Sequence, residues 1–134
     1  MKTSTNYIVS LVFLLLGTTT GLSAQEVIAQ GTFEPDSYFI SFEGSWEITQ
    51  TEGQIYLQLK EDFRAKKAPD LKLFLSTLAL KEIDGSNAAG DASILLSPLQ
   101  SIKGAQRYLI PASIDLSAYQ SLIVHCEQYS KLWG

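Results

Sequence analysis

The stretch Ser45-Trp46-Glu47-Ile48-Thr49-Gln50-Thr51-Glu52-Gly53-Gln54-Ile55-Tyr56-Leu57-Gln58-Leu59-Lys60 decides the fold class. Trp46 and Ile48 alternate with Glu47 and Thr49, and Ile55, Leu57 and Leu59 alternate with Tyr56, Gln58 and Lys60. A period of two belongs to a strand with one buried face, whereas a helix repeats its apolar residues every three or four positions. Between the two runs stands Thr51-Glu52-Gly53, with a glycine free to take positive φ, so the spacing predicts a hairpin.

Further along the chain, Leu71, Leu73 and Leu75 alternate with Lys72, Phe74 and Ser76. Ile55, Leu57, Leu59, Leu71, Leu73 and Leu75 are therefore expected to point into one core. Ser93 to Leu96, Gln106 to Ile110, Leu122 to Cys126 and Ser130 to Trp133 are further strand candidates, with breaks at Pro98 and Pro111. Lys60 to Pro69 reads as a loop, and Asp84 to Asp91 as a turn-rich connection. The best helical candidate, Ile114 to Tyr119, is about one turn, started by Asp115 or Ser113 as a cap. Short strands, frequent turns and no long 3.6 period predict an all-β domain, a small antiparallel β-sandwich or partly closed barrel.

The segment before this domain has a different character. Met1 to Ala24 carries one charge at Lys2, an apolar run from Tyr7 to Leu16, and a small polar stretch ending at Ala24. That order is the order of a cleavable signal peptide, and the apolar run is about half the ~20 residues a membrane helix needs. The expectation is an exported protein, periplasmic or secreted, without membrane insertion after cleavage. Residues 25–134 then form a single domain. Loss of Lys2 takes the formal charge from −4 to −5. That sign argues against nucleic acid as a partner, because its binders cluster Lys and Arg. Arg64, Lys66 and Lys67 read as a solvated loop.

Catalytic chemistry has few residues to draw on. The chain has one histidine and one cysteine, no Cys-x-x-Cys, no Cys-x-x-Cys-His haem attachment and no glycine-rich phosphate loop. No internal disulfide can form, and stability rests on the apolar core. Asp84, Ser86, Asn87 and Asp91 offer oxygen ligands but lack the spacing and closing glutamate of a calcium loop, so they read as turn chemistry and no metal site is assigned. His125 and Cys126 are neighbours in a strand, which turns them to opposite faces. Cys126 goes with Leu122 and Val124 on the core side; His125 goes with Ile123 and Glu127 and reads as a strand-surface residue. Spacing alone favours Cys126 as a small buried hydrophobe over a reactive thiol.

Three stretches taken together resemble a known family: Ala68-Pro69-Asp70-Leu71-Lys72-Leu73-Phe74-Leu75-Ser76, then Gly104-Ala105-Gln106-Arg107-Tyr108-Leu109-Ile110-Pro111, then Tyr119 to Cys126. Their order and spacing are similar to the DM-thirteen domain family, with its Pro-Asp-Leu strand, its Gly-x-Gln-x-Tyr-x-Ile-Pro segment and its late cysteine. Gly31-Thr32-Phe33, the strand from Ser45 to Ile48, and Asp62-Phe63 also fit. One departure is His125, where the family often has tryptophan.

The resemblance implies an extracytoplasmic β-sandwich in an electron-transfer system, often joined to DOMON or cytochrome b-type partners. It implies that the late cysteine, here Cys126, is a redox thiol or the attachment point of a prosthetic group such as haem. Pro69, Asp70, Gly104, Gln106, Tyr108 and Pro111 are carried over as motif residues with a structural role. Pro69 fixes the chain entering its strand, and the Asp70 carboxylate is expected to accept hydrogen bonds from backbone donors in the loop. Two other readings remain open at this stage. One is a structural or adhesion module with Cys126 as core filler; the other is a small-ligand binder with a cleft lined by Trp46, Trp133 and tyrosines.

Overall fold

The structure, a computed structural model, describes residues 24–134; apart from Ala24, the expected export signal lies outside the described residues. Among the described residues ten strands follow one another: β1 Glu26–Thr32, β2 Phe42–Glu43, β3 Ser45–Thr51, β4 Gln54–Leu59, β5 Arg64–Ala65, β6 Leu71–Ser76, β7 Ser93–Pro98, β8 Gln106–Ile110, β9 Ser121–Cys126 and β10 Lys131–Leu132. Every pairing is antiparallel. One sheet has the order β1-β3-β4-β8, a second has β10-β9-β6-β7, and β2 and β5 make a two-stranded ribbon.

The β3–β4 hairpin forms as the alternation predicts. Ile48 faces Leu57 and Trp46 faces Leu59. Glu52 and Gly53 both have positive φ, 52° and 78°, the two-residue turn whose twist matches that of the flanking strands. Leu57, Leu59, Leu71, Leu73 and Leu75 are buried and Ile55 is partly buried, all in one core shared with Tyr108, Ile110, Leu122, Val124 and Cys126. Each such side chain contributes about 1.5–3 kcal/mol on leaving water. One end of this core is an aromatic cluster in which the rings of Phe33, Phe42 and Phe63 lie 4.8–5.9 Å apart.

The inner strands of the second sheet, β6 and β9, are buried on both faces, which the alternation did not indicate. Phe74 and His125, expected on the polar side, are buried at 4 % and 2 % exposure. Their face packs with Ile83, Ala88, Ile123 and Leu132 in a second apolar cluster, with Ile83 and Ala88 supplied by the segment that follows β6. The surface reading of His125 is thereby corrected: the connection between β6 and β7 folds back over the sheet instead of leaving it to solvent.

Smaller differences are local. The helical candidate contracts to a 3₁₀ turn, Leu116–Ala118, capped by the Asp115 carboxylate accepting from the Ser117 N–H at 3.1 Å. The last strand shortens because a 3₁₀ turn, Glu127–Tyr129, intervenes and closes on Ser130 at φ 47°. Trp133 nevertheless donates its N–H to the Val124 carbonyl at 2.9 Å, so the chain end stays against β9.

Candidate functional site

Cys126 is the last residue of β9, paired with Leu71 of β6 on one side and Lys131 of β10 on the other. It has no exposed surface, and its Sγ lies 3.0 Å from the carbonyl oxygen of Pro69, to which the thiol donates. The strand phase holds: the thiol packs with Leu122 and Val124 in the main core. The imidazole of His125, on the other face, meets the Phe74 ring edge-on at 6.2 Å between centroids. His125 Nδ1 is buried without a hydrogen-bond partner among the described residues.

The contact with Pro69 joins two motifs 57 residues apart. Asp70 takes a left-handed conformation, φ 60°, which turns the chain into β6. Its carbonyl accepts from the Glu127 N–H at 3.3 Å, one step beyond the thiol. Lys72 ion-pairs with Glu127 and reaches Asp70 at 3.2 Å, and the two carboxylates hold its ammonium above the ordinary lysine range, Glu127 more than Asp70. The Asp70 carboxylate thus serves an ion cluster. No backbone donor reaches it among the described residues, contrary to the expectation that it would bind the loop's N–H groups, because the left-handed turn leaves it beside Lys72.

The second motif is held by a closed polar network. Gln106 Nε2 donates to the Ser101 carbonyl at 2.8 Å and the Gly104 carbonyl at 3.3 Å, while its Oε1 accepts from the Ser101 N–H at 3.2 Å and the Tyr108 hydroxyl at 2.6 Å. The Tyr108 oxygen accepts in turn from the Gln100 N–H at 2.8 Å, and burial of this phenol pushes its pKa up. Gly104 supplies φ 82° at the turn, and the Pro111 carbonyl accepts from Ile114 at 3.0 Å. Upstream, the Asp62 carboxylate accepts from both the N–H and the hydroxyl of Ser45 at 2.9 Å, bonds that hold it below its ordinary value.

The first motif borders a groove of about 510 Å³, with Ala68, Asp70 and Leu71 on one side and Leu99, Gln100 and Ser101 on the other, the last two held by Tyr108 and Gln106 of the second motif. The Leu99 N–H donates to the Leu71 carbonyl at 2.9 Å, fixing the two sides together. The groove does not reach the sulfur, since Cys126 is not among its lining residues. A haem at Cys126 does not fit this packing: the sulfur is flanked by strands on both sides and faces a carbonyl, and His125 is turned to the opposite face.

The other sequence-level candidates go to separate places. Trp133 is buried with its Nε1 on the Lys66 carbonyl at 3.2 Å and is not among the residues of the cleft that Trp46 and Tyr119 line. Asp84 Oδ1 accepts from the Ser86 N–H at 2.7 Å and from Asn87 at 3.3 Å, the pattern of an Asx turn. Among the described residues no group of three His, Cys, Asp or Glu side chains is arranged to hold a metal ion. Sequence reasoning missed Lys72 and Glu127 as partners, because nothing in their spacing reveals that β6 and β9 lie side by side. A family model described as Electron transfer DM13 matches residues 32–134. No curated protein and no solved structure gives a significant match.

Proposed function

The chain belongs to the Electron transfer DM13 family, and from that premise we propose that it is an extracytoplasmic accessory module of an electron-transfer system, with Cys126 as a guarded redox thiol. The observation that carries the reading is the closure of one thiol by the family's own motif: Pro69 accepts from Sγ, Asp70 from Glu127, and Lys72 ties the two segments from outside. Such a latch holds the sulfur unreactive until the Pro69-Asp70 turn moves. A partner docking in the adjoining groove, between Ala68–Leu71 and Leu99–Ser101, is positioned to move it.

A lone thiol cannot cycle through an internal disulfide. Turnover therefore uses a thiol of the partner: as the S–S bond forms, the two thiols release two protons and two electrons, the electrons passing one at a time to two haem equivalents of a cytochrome b-type or DOMON partner, and two electrons and two protons from a reductant reopen the bond. A second reading, a non-catalytic structural or adhesion module with Cys126 as core filler, is favoured by the complete burial of the thiol among Leu122, Val124 and Leu71.

The test is to acid-quench cells, isolate the protein from each compartment, and measure the mass of the Cys126 peptide. The redox reading expects an extracytoplasmic pool with a fraction disulfide-linked to another protein, absent in Cys126→Ser. A thiol that is free under all redox conditions, with Cys126→Ser leaving function intact, establishes the structural reading instead.

A further inference from the structure

Between the two sheets, at the end of β9 remote from Cys126, lies an open cavity of about 310 Å³. Ala29 and Trp46 line it from the first sheet, Leu75 and Leu122 from the second, and Tyr119 from the segment after the 3₁₀ turn. Leu122 and Cys126 stand four residues apart on one strand, ~13 Å at ~3.3 Å per residue, so the cavity is separate from the thiol and its latch.

The sequence explains why the sandwich stays open here. The β1–β3 register shifts between Val27 and Ala29, a bulge that leaves Ile28 as the extra residue and bends the edge strand. Ala29 is too small to fill the gap. Trp46 is pinned over Gly31, where an added Cβ would lie 2.8 Å from the indole, so the ring is a fixed wall and not a plug.

The lining defines the ligand. Among the described residues no Asp, Glu, Lys, Arg or His faces the cavity, so a charge entering it would lose water with nothing to replace it. Three polar side chains of the rim are already engaged: Gln120 Nε2 donates to the Thr77 carbonyl at 2.8 Å, Ser121 Oγ to the Leu78 carbonyl at 2.8 Å, and Ser117 Oγ to Asp115 at 2.6 Å, which leaves the Tyr119 hydroxyl and the Trp46 indole N–H as the polar groups open to a neutral ligand. Water there finds few partners and is displaced favourably by an apolar group. At ~30 Å³ per water the space holds about ten waters, or roughly a dozen non-hydrogen atoms. We propose that this cavity is a binding site for a neutral, predominantly apolar molecule of the size of a two-ring aromatic compound. The site is independent of the redox role of Cys126 and stands whether or not that role holds.

The experiment titrates 2-naphthol into the isotope-labelled protein and follows its resonances. Binding here gives saturable shifts at Ala29, Leu75, Tyr119, Leu122 and the Trp46 indole, with Cys126 unmoved. Naphthalene-2-sulfonate, the same ring system with a charge, binds at least tenfold more weakly. Ala29→Phe, which fills the space, weakens 2-naphthol at least tenfold; if that variant does not fold, the wild-type shift map and the charged analogue decide. Shifts that do not saturate or that scatter over the surface overturn the proposal. So do equal affinities for the two probes, or a self-associated protein in which these residues are already covered before probe is added.

Discussion

The hydroxyl of Tyr108 donates to Oε1 of Gln106 at 2.6 Å, from two residues along the same strand and on the same buried face. With the Ser101 and Gly104 bonds this amide has all its capacity used, and it fastens the loop before β8 to the sheet. Gln106→Leu leaves the Ser101 N–H and carbonyl and the Tyr108 hydroxyl without their partner. A loss of roughly 2–3 kcal/mol is expected, since the buried Tyr108 hydroxyl loses its acceptor, at ~1–3 kcal/mol, and the part-buried Ser101 bonds are lost with it. Tyr108→Phe should cost less, about 1–2 kcal/mol. Denaturant midpoints of the two variants check both the size and the order.

Asp70 has a backbone role separable from its charge. Its φ of 60° suits Asn nearly as well as Asp, and its half-exposed carboxylate faces Lys72 across 3.2 Å in a solvent-screened pair. Asp70→Asn should therefore change stability by less than about 1 kcal/mol. Asp70→Val forces a β-branched residue into the left-handed region, at a cost of order 1–3 kcal/mol. Equal melting temperatures for the two variants would show that the turn does not depend on this conformation.

His125 gives the fold an acid sensitivity above the carboxylate range. Burial holds its imidazole below the ordinary 6.5, with the Glu127 charge opposing more weakly, and Lys72 is the other charged side chain at that end of the face. Above pH 6.5 both folded and unfolded chains carry the neutral ring, and the stability is full. As the pH falls through 6.5 the unfolded chain takes up a proton that the fold resists, so stability drops until the lower folded-state value is passed. Asp62, Asp84 and Asp115, held low by Ser45, Ser86 and Ser117, lose their contributions only below 3.8. Urea midpoints measured from about pH 7.5 down to 5 should decline in the wild type and stay flat in His125→Leu.

How much of this was legible in the sequence depends on where each signal comes from. Strict alternation sufficed for β3, β4 and the inward set of β6, because a period of two has one structural cause. It failed for β1, where the bulge at Ile28 breaks the alternation, and for β2 and β5, which at two residues each carry no period. The burial of His125 had a visible clue in the unbroken run Leu122-Ile123-Val124, the pattern of a strand covered on both faces. The cover itself, Ile83 and Ala88, comes from a loop whose path no local pattern fixes. Of the candidate site, the facing of Cys126 followed from strand phase. Its contact with Pro69 required knowing that β6 and β9 are neighbours, which is long-range information.

Thiol labelling kinetics test whether the Pro69-Asp70 turn and the Lys72 ion cluster latch Cys126. A small thiol reagent should label the native protein slowly but measurably and the denatured protein rapidly. Lys72→Ala, which removes the outer tie without touching the core, should speed native labelling several-fold while leaving the denatured rate unchanged. Equal rates for native and denatured protein would reject the burial of the thiol. Native labelling as slow in Lys72→Ala as in the wild type, and tracking global unfolding in both, would contradict the latch and leave Cys126 as a core residue.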